Sequence, residues 1–182
     1  MKKYLFILFF ILLTNDASAS IKKNIIYNLN SIDNIFFKFE QNINGKTENG
    51  ECIIQYPKKI FCKYNLKNKK ILVSNGKSLV IKSLSSYYLY PLDKTPLNLI
   101  LDKNFLIRAI NNSDERIIED KFINYSFSEK DNEINIFFDK NTYELIGWQT
   151  LDIYQNLSIT FISSIIKNQK LKKNLFEIPK QN

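Results

Sequence analysis

The chain has 182 residues, 45% of them hydrophobic, with 26 basic against 18 acidic side chains, two cysteines and no histidine. Without imidazole, Ser-His-Asp and Cys-His nucleophile pairs, His-ligated zinc and a His proton shuttle near neutral pH are excluded, and four glycines leave little material for a glycine-rich phosphate loop. The length fits one domain with a proper core, and the net charge of +8, carried by lysines apart from Arg108 and Arg116, reads as the residue usage of an A+T-rich genome rather than as a nucleic-acid or membrane footprint.

Lys2 and Lys3 precede the apolar run Tyr4 to Leu13, after which Thr14-Asn15-Asp16 leads into Ala17-Ser18-Ala19. A basic start, a short apolar stretch and an A-x-A site predict a secretory signal peptide over residues 1–19, because a membrane-spanning helix needs about twenty apolar residues. No cysteine lies near the cleavage site, so residues 20–182 are expected as one soluble periplasmic domain with no lipid anchor of its own. From Ser20 to Ile32, Ile21, Ile25, Leu29 and Ile32 recur at helical spacing, with Lys22, Lys23, Asn24 and Asn28 on the other side; this predicts an amphipathic helix lying on something apolar.

The period then changes to two. Phe37-Lys38-Phe39-Glu40-Gln41-Asn42-Ile43 largely alternates, as a half-buried strand requires, and Gly45 and Gly50 are expected to bracket a turn region. Gly50 to Gln55 and Lys59 to Tyr64 follow as a hairpin through Tyr56-Pro57-Lys58, whose symmetric register sets residue 55 opposite 59, 54 opposite 60 and Cys52 opposite Cys62. In an oxidising exported compartment that pair is expected to close as a disulfide. A redox-active pair is the weaker reading, because no C-x-x-C spacing or helix start lowers a thiol pKa. Lys70 to Ser74 and Ser78 to Lys82 flank Asn75-Gly76-Lys77 as a second hairpin, and Tyr87 to Leu92 reads as a strand.

Thr95-Pro96 opens a mid-chain helical insertion, with Thr95 as candidate cap and Leu97, Ile100 and Leu101 as its apolar residues; Phe105 to Ile110 continue it. Beyond Ile117 the expected strands are Phe122 to Ser128, Glu133 to Phe138, Tyr143 to Ile153, Leu157 to Ile165 and a last segment near Phe176 to Ile178, joined by short polar turns. About ten or eleven strands in an antiparallel meander favour a curled, partly closed sheet over a flat one.

No nucleotide loop, dinucleotide fingerprint or metal motif occurs, carboxylates such as Glu40, Glu51, Asp114, Glu115, Glu119 and Asp120 read as solvated surface, and Ser83, Ser85 and Ser86 lack a base. The chain is therefore read as a non-enzyme, without cofactor or metal. Cys52, Ile54, Tyr56, Ile60, Cys62 and Tyr64 share one face of the first hairpin, while Ile53 and Phe61 share the other. A curled sheet under helices can hold an apolar cavity; on the residues alone a filled core and a ligand cavity both stay open.

Phe39-x-Gln41, Gly50 before a strand, Tyr56-Pro57 with Ile60 and Tyr64 after it, Val73-Ser74-Asn75-Gly76-Lys77-Ser78-Leu79 and Thr95-Pro96-Leu97 before Leu101 together resemble the periplasmic outer-membrane lipoprotein carriers, the LolA family. Leu145, Trp148 and Phe176-x-x-Pro179 agree more loosely. The resemblance implies an incomplete antiparallel barrel whose concave face is lidded by helices, here Ser20 to Ile32 and Pro96 to Ile110. It implies a monomeric chaperone that receives acylated lipoproteins from an inner-membrane ABC-type release complex and delivers them to an outer-membrane lipoprotein acceptor, without nucleic acid. Carried over by position, Phe39, Ile54, Ile60, Tyr64 and Leu72 would contact acyl chains, with Cys52 and Cys62 in the cavity wall. Ile25, Leu29, Leu97, Ile100 and Leu101 would form the lid. Tyr56 stands where the family has a latch arginine, and a phenol there hydrogen-bonds without charge. The alternative on the same half-barrel is a periplasmic lipid-binding or stress-sensor module.

Overall fold

The structure is a computed structural model that describes residues 15–129, 132–152 and 155–181. The apolar run of the expected signal peptide lies outside those residues, as do the tips of two of the expected turns, at residues 130–131 and 153–154. Helix α1 (Asn15–Asn30) is followed by six strands, β1 (Asn34–Ile43), β2 (Lys46–Gln55), β3 (Lys59–Tyr64), β4 (Ile71–Asn75), β5 (Ser78–Lys82) and β6 (Tyr87–Pro91). A 3-10 turn (Leu92–Lys94) and helices α2 (Leu97–Ile100) and α3 (Lys103–Asn112) come next. The chain ends its regular structure with β7 (Arg116–Ile118), β8 (Phe122–Glu129), β9 (Asn132–Asp139), β10 (Leu145–Leu151) and β11 (Leu157–Lys167).

The strands form one antiparallel sheet in the order β6-β5-β4-β3-β2-β1-β11-β10-β9-β8-β7. It is mostly β, eleven-stranded and unclosed, the expected incomplete barrel. Two meanders meet at its centre, where β1 pairs β2 on one side and β11 on the other. Because β6 and β7 are the two edges, the segment between them must cross the sheet, and this carries α2 and α3 over one face. The curl has local causes. An extra residue interrupts β11 opposite Phe36 to Lys38, with Ser164 at φ 53°, and another interrupts β10 between Leu145 and Gly147; bulges of this kind bend a strand and sharpen its twist.

Alternation decides the concave face. Ile35, Phe37 and Phe39 of β1, Cys52 and Ile54 of β2, and Ile60, Cys62 and Tyr64 of β3 are all buried, and Ile123, Tyr125, Ile134, Ile136 and Phe138 continue the face through β8 and β9. Onto it pack Ile25 and Leu29 of α1, Ile32 just beyond its end, Ile100 and Leu101 at α2, and Leu106 and Ile110 of α3. The amphipathic stripe expected from Ser20 to Ile32 is thus the buried side of α1, while Tyr27 stays exposed.

Four local expectations need correction. Gly50 lies inside β2, and the turn is the short Asn44-Gly45 link. Thr95 does not cap a helix with its side chain: its hydroxyl donates to the Leu92 carbonyl at 2.8 Å, and Asp102, which accepts from the Phe105 N–H at 3.0 Å, caps α3. Tyr143 and Glu144 precede β10 rather than opening it, tied back by the Asp139 backbone: Tyr143 N–H donates to the Asp139 carbonyl and Asp139 N–H to the Glu144 carbonyl, both at 2.9 Å. Phe176 to Ile178 is not a strand. It lies against Gln55, Lys59 and Asn75, whose strands already have partners on both sides, so Phe176 is buried as an anchor without joining the ladder.

Candidate functional site

The β2–β3 register is the expected one, with Gln55 opposite Lys59, Ile54 opposite Ile60 and Cys52 opposite Cys62. The two cysteines form a disulfide with Cα atoms 4.1 Å apart. Gly50 faces Phe39 on one side and Tyr64 on the other. A Cβ there would come within 2.9 Å of Phe39 Cε1 and 2.2 Å of the Lys63 carbonyl oxygen, so glycine lets the Phe39 ring approach β2 closely, and the ring meets Tyr64 edge-on at 5.0 Å.

Above this wall is a cavity of about 390 Å³. Phe39, Ile60, Tyr64 and Leu72 line it, as does the disulfide; Phe37, Leu79, Tyr90 and Trp148 extend the apolar lining, and Leu97 and Pro96 close it from the helical side. Phe37 and Trp148 meet edge-on at 6.1 Å across the β1–β11–β10 step. Ile54 does not line the cavity. It is fully buried in the core beneath the helices, two residues nearer the lid than Cys52. Ile25, Leu29, Ile100 and Leu101 are likewise buried between lid and sheet, so Leu97 is the one residue of the expected lid set that reaches the cavity.

The connection between sheet and lid differs from a single latch. Tyr56 contributes its ring, 5.8 Å from Lys103 Nζ, and its N–H, which donates to the Asp33 carbonyl at 3.0 Å. The direct bonds come from the neighbouring residues. Lys58 N–H donates to the Leu101 carbonyl at 2.8 Å, and Lys58 Nζ lies 3.6 Å from Asp102 Oδ2. Lys103 Nζ donates to the Ile32 carbonyl at 2.8 Å and reaches the Asn30 carbonyl at 3.4 Å, at the C-terminus of α1, where a cation is favoured. Lys58, Asp102 and Lys103 were not singled out from sequence. The tight Pro57-Lys58 turn beside Tyr56 was the available signal.

The cavity is not uniformly apolar. At the end away from the lid, Gln41 Nε2 donates to Ser158 Oγ at 3.0 Å and Thr160 Oγ1 at 3.2 Å, and Lys70 Nζ pairs with Glu48 Oε2 at 2.5 Å while lying 4.1 Å from the Tyr64 ring centroid. Burial, and secondarily the Glu48 charge, pushes the Tyr64 phenol well above its ordinary range, so it remains a neutral donor. Among the described residues no cluster of three His, Cys, Asp or Glu could hold a metal ion, and no helix is long and apolar enough to cross a membrane.

Comparison with known proteins agrees with this architecture. The family described as outer membrane lipoprotein carrier protein LolA matches residues 30–179, and no curated protein sequence matches. Among solved structures, MucB superposes with a TM-score of 0.51 at 12% identity over 90% of this chain and 63% of its own, so the chain spans under two thirds of MucB. LprF from Mycobacterium bovis gives 0.49 at 12% identity over 88% of this chain and 98% of its own. A LolA superfamily protein from Nitrosomonas europaea gives 0.42 at 9% identity over 88% and 97%. These likenesses concern the fold. The family match over most of the chain carries more: it supports binding of lipid or lipoprotein as the general activity, and this chain belongs to the LolA family of outer-membrane lipoprotein carrier proteins.

Proposed function

We propose that the chain is a periplasmic carrier that receives acylated lipoproteins released from the inner membrane by an ABC-type complex, buries their acyl chains between the concave sheet and the lid, and passes them to an outer-membrane acceptor. It works as a monomer, without cofactor, after removal of residues 1–19. The observation that carries this reading is the apolar cavity of about 390 Å³ walled by Phe37, Phe39, Ile60, Leu72, Leu79 and Trp148 and closed by Leu97.

Its size is informative. Taking about 30 Å³ per water-sized group, the cavity holds roughly a dozen, close to one acyl chain. Each buried methylene contributes about 0.8 kcal/mol, so one chain gains on the order of 10 kcal/mol. A cargo with several chains needs more room, which opening the lid supplies. Opening exposes Ile25, Leu29, Ile100 and Leu101, and that cost offsets part of the gain and keeps net affinity low enough for release. The test is to incubate the purified protein with spheroplasts or inner-membrane vesicles containing a lipoprotein and its energised release complex. The lipoprotein is expected in the soluble fraction, bound to the carrier; a lipoprotein that stays with the membrane overturns the reading.

A further inference from the structure

We infer that the end of the cavity away from the lid is a separate polar subsite, built from Gln41, Glu48, Tyr64, Lys70, Ser158 and Thr160, which binds the carbonyl linkage of an acyl chain, ester or amide, and so fixes which way round the chain lies. This rests on the carrier reading and deepens it.

The case begins with the inward positions of the central strands. Along β1 they run Ile35, Phe37, Phe39 and then Gln41; along β2, from the same end, Ile54, Cys52, Gly50 and then Glu48; along β11, Ile162, Thr160 and Ser158. All three change from apolar to polar near the rung of Gly50, and all three polar groups line the same cavity as Phe37 and Trp148. The cavity therefore carries a polar belt of Gln41, Glu48, Thr160 and Ser158 beyond the Gly50 rung, with Ile43 following it on β1. These polar residues are also well buried: Glu48 is 8% exposed, Ser158 4% and Thr160 3%. A buried ion pair such as Lys70–Glu48 adds little to stability compared with apolar residues of the same volume, so folding alone does not account for it.

The hydrogen bonds show what the subsite lacks. Glu48, the carboxylate of the cluster, already has Lys70 at 2.5 Å and Lys46 at 4.0 Å. Ser158 and Thr160 both accept from Gln41, which leaves each hydroxyl proton to donate. Tyr64 reaches Gln41 Oε1 only at 3.5 Å, longer than a good O–H···O bond. The Ser158, Thr160 and Tyr64 hydroxyls and the remaining Lys70 ammonium N–H bonds can all donate into this end of the cavity, and an acceptor without a large charge fits them. A carbonyl next to an alkyl chain has that chemistry, with the chain continuing toward Phe37 and Trp148.

Trp148 is the single tryptophan and lines the cavity, so its emission reports binding in the intact protein. The probes are dodecane, which has no acceptor, monolauroylglycerol, N-lauroyl-glycinamide and lauroyl-lysophosphatidylglycerol, titrated below their solubility or micelle limits. The ester and the amide are expected to bind at least about tenfold tighter than dodecane, as for one or two bonds to charged or buried donors. In Ser158→Ala/Thr160→Val that advantage is expected to fall to about twofold with dodecane affinity unchanged, and Lys70→Gln, with matching thermal unfolding as the fold control, is expected to do the same. The lysophospholipid distinguishes sources: affinity equal to monolauroylglycerol means that any glyceryl ester is accepted, weaker affinity that a neutral glyceryl is selected. Dodecane binding as tightly as the carbonyl probes, or variants that keep the full advantage, overturns the subsite while leaving the carrier reading in place. No response to any probe overturns both.

Discussion

Gly50→Ala tests the packing on which the cavity wall depends. The added Cβ would lie 2.2 Å from the Lys63 carbonyl oxygen and 2.9 Å from Phe39 Cε1. An ordinary carbon–oxygen contact is about 3.3 Å or more, so β2 and β3 must separate by about an ångström at the Gly50–Tyr64 rung and the Phe39 ring must also move away from β2. The first costs one or two ladder hydrogen bonds at about 1 kcal/mol each together with overpacking strain of about 1–3 kcal/mol. The reduced freedom of the unfolded chain returns about 0.4–1 kcal/mol. The net expectation is a loss of about 2–3 kcal/mol, which for a domain of this size lowers Tm by about 5–10 °C. Thermal unfolding followed by circular dichroism measures it, and Trp148 emission reports whether the cavity wall has shifted. Unfolding within about 2 °C of the parent would show that β2 and Phe39 do not approach as closely as described.

Removing the disulfide with Cys52→Ala/Cys62→Ala is expected to lower stability by about 2–3 kcal/mol, since the bond closes a loop of sequence separation 10; urea denaturation checks this, and a loss below about 1 kcal/mol would mean that the hairpin is already fully constrained by its ladder. Tyr125 is completely buried and its hydroxyl has no hydrogen-bond partner among the described residues, so Tyr125→Phe should raise stability by about 1 kcal/mol, seen as a higher Tm; a lower one would reveal a partner for the hydroxyl. The Asp139 carboxylate accepts from the Thr142 and Asn141 N–H groups, both at 2.8 Å, and these bonds, Thr142's first, hold its pKa below the ordinary value of 3.8. Its contribution is therefore present above that value and lost as pH falls through the lowered one. Denaturation of Asp139→Ala beside the parent should show a stability gap at neutral pH that closes in acid, and a gap independent of pH would contradict the turn's role.

The sheet was readable in the sequence because each central strand buries one face: Phe37, Phe39, Ile54, Ile60 and Tyr64 alternate with Lys38, Glu40, Lys59 and Lys63, and the short turns leave little freedom of register. The same parity placed Cys52 opposite Cys62. What escaped the reading depends on contacts that alternation does not encode. Gly50 looked like a turn residue, and only the Lys63 carbonyl and the Phe39 ring packed against it explain a glycine in mid-strand. Phe176 to Ile178 had strand composition, but the strands it meets are already paired on both sides. Lys58, Asp102 and Lys103 belong to no periodic pattern; their role at the lid appears once the β2–β3 turn and the end of α2 are seen to meet through Lys58 N–H and the Leu101 carbonyl.

Those contacts bear on how the helices can close over the sheet with Tyr56 where the family resemblance implies an arginine. A phenol in place of a guanidinium removes a charge and exchanges five N–H donors for one O–H, yet the lid remains tied to the sheet by a backbone bond from Lys58, an ion pair from Lys58 to Asp102 and a lysine cap from Lys103 onto α1. The backbone bond cannot be lost by side-chain substitution, and the Lys58–Asp102 pair is half-exposed and worth about 0–1 kcal/mol. Closure therefore rests mainly on burial of Ile25, Leu29, Ile100 and Leu101, for which full burial contributes about 1.5–3 kcal/mol per side chain. Asp102→Ala accordingly should affect α3 through loss of its cap, about 1 kcal/mol, more than it affects lid closure, whereas Leu101→Ala should loosen the lid directly. The comparison is measurable as hydrogen exchange at α2 and α3 in the two variants. Faster exchange throughout α2 in Asp102→Ala than in Leu101→Ala would place the latch in the polar contacts and reverse this order.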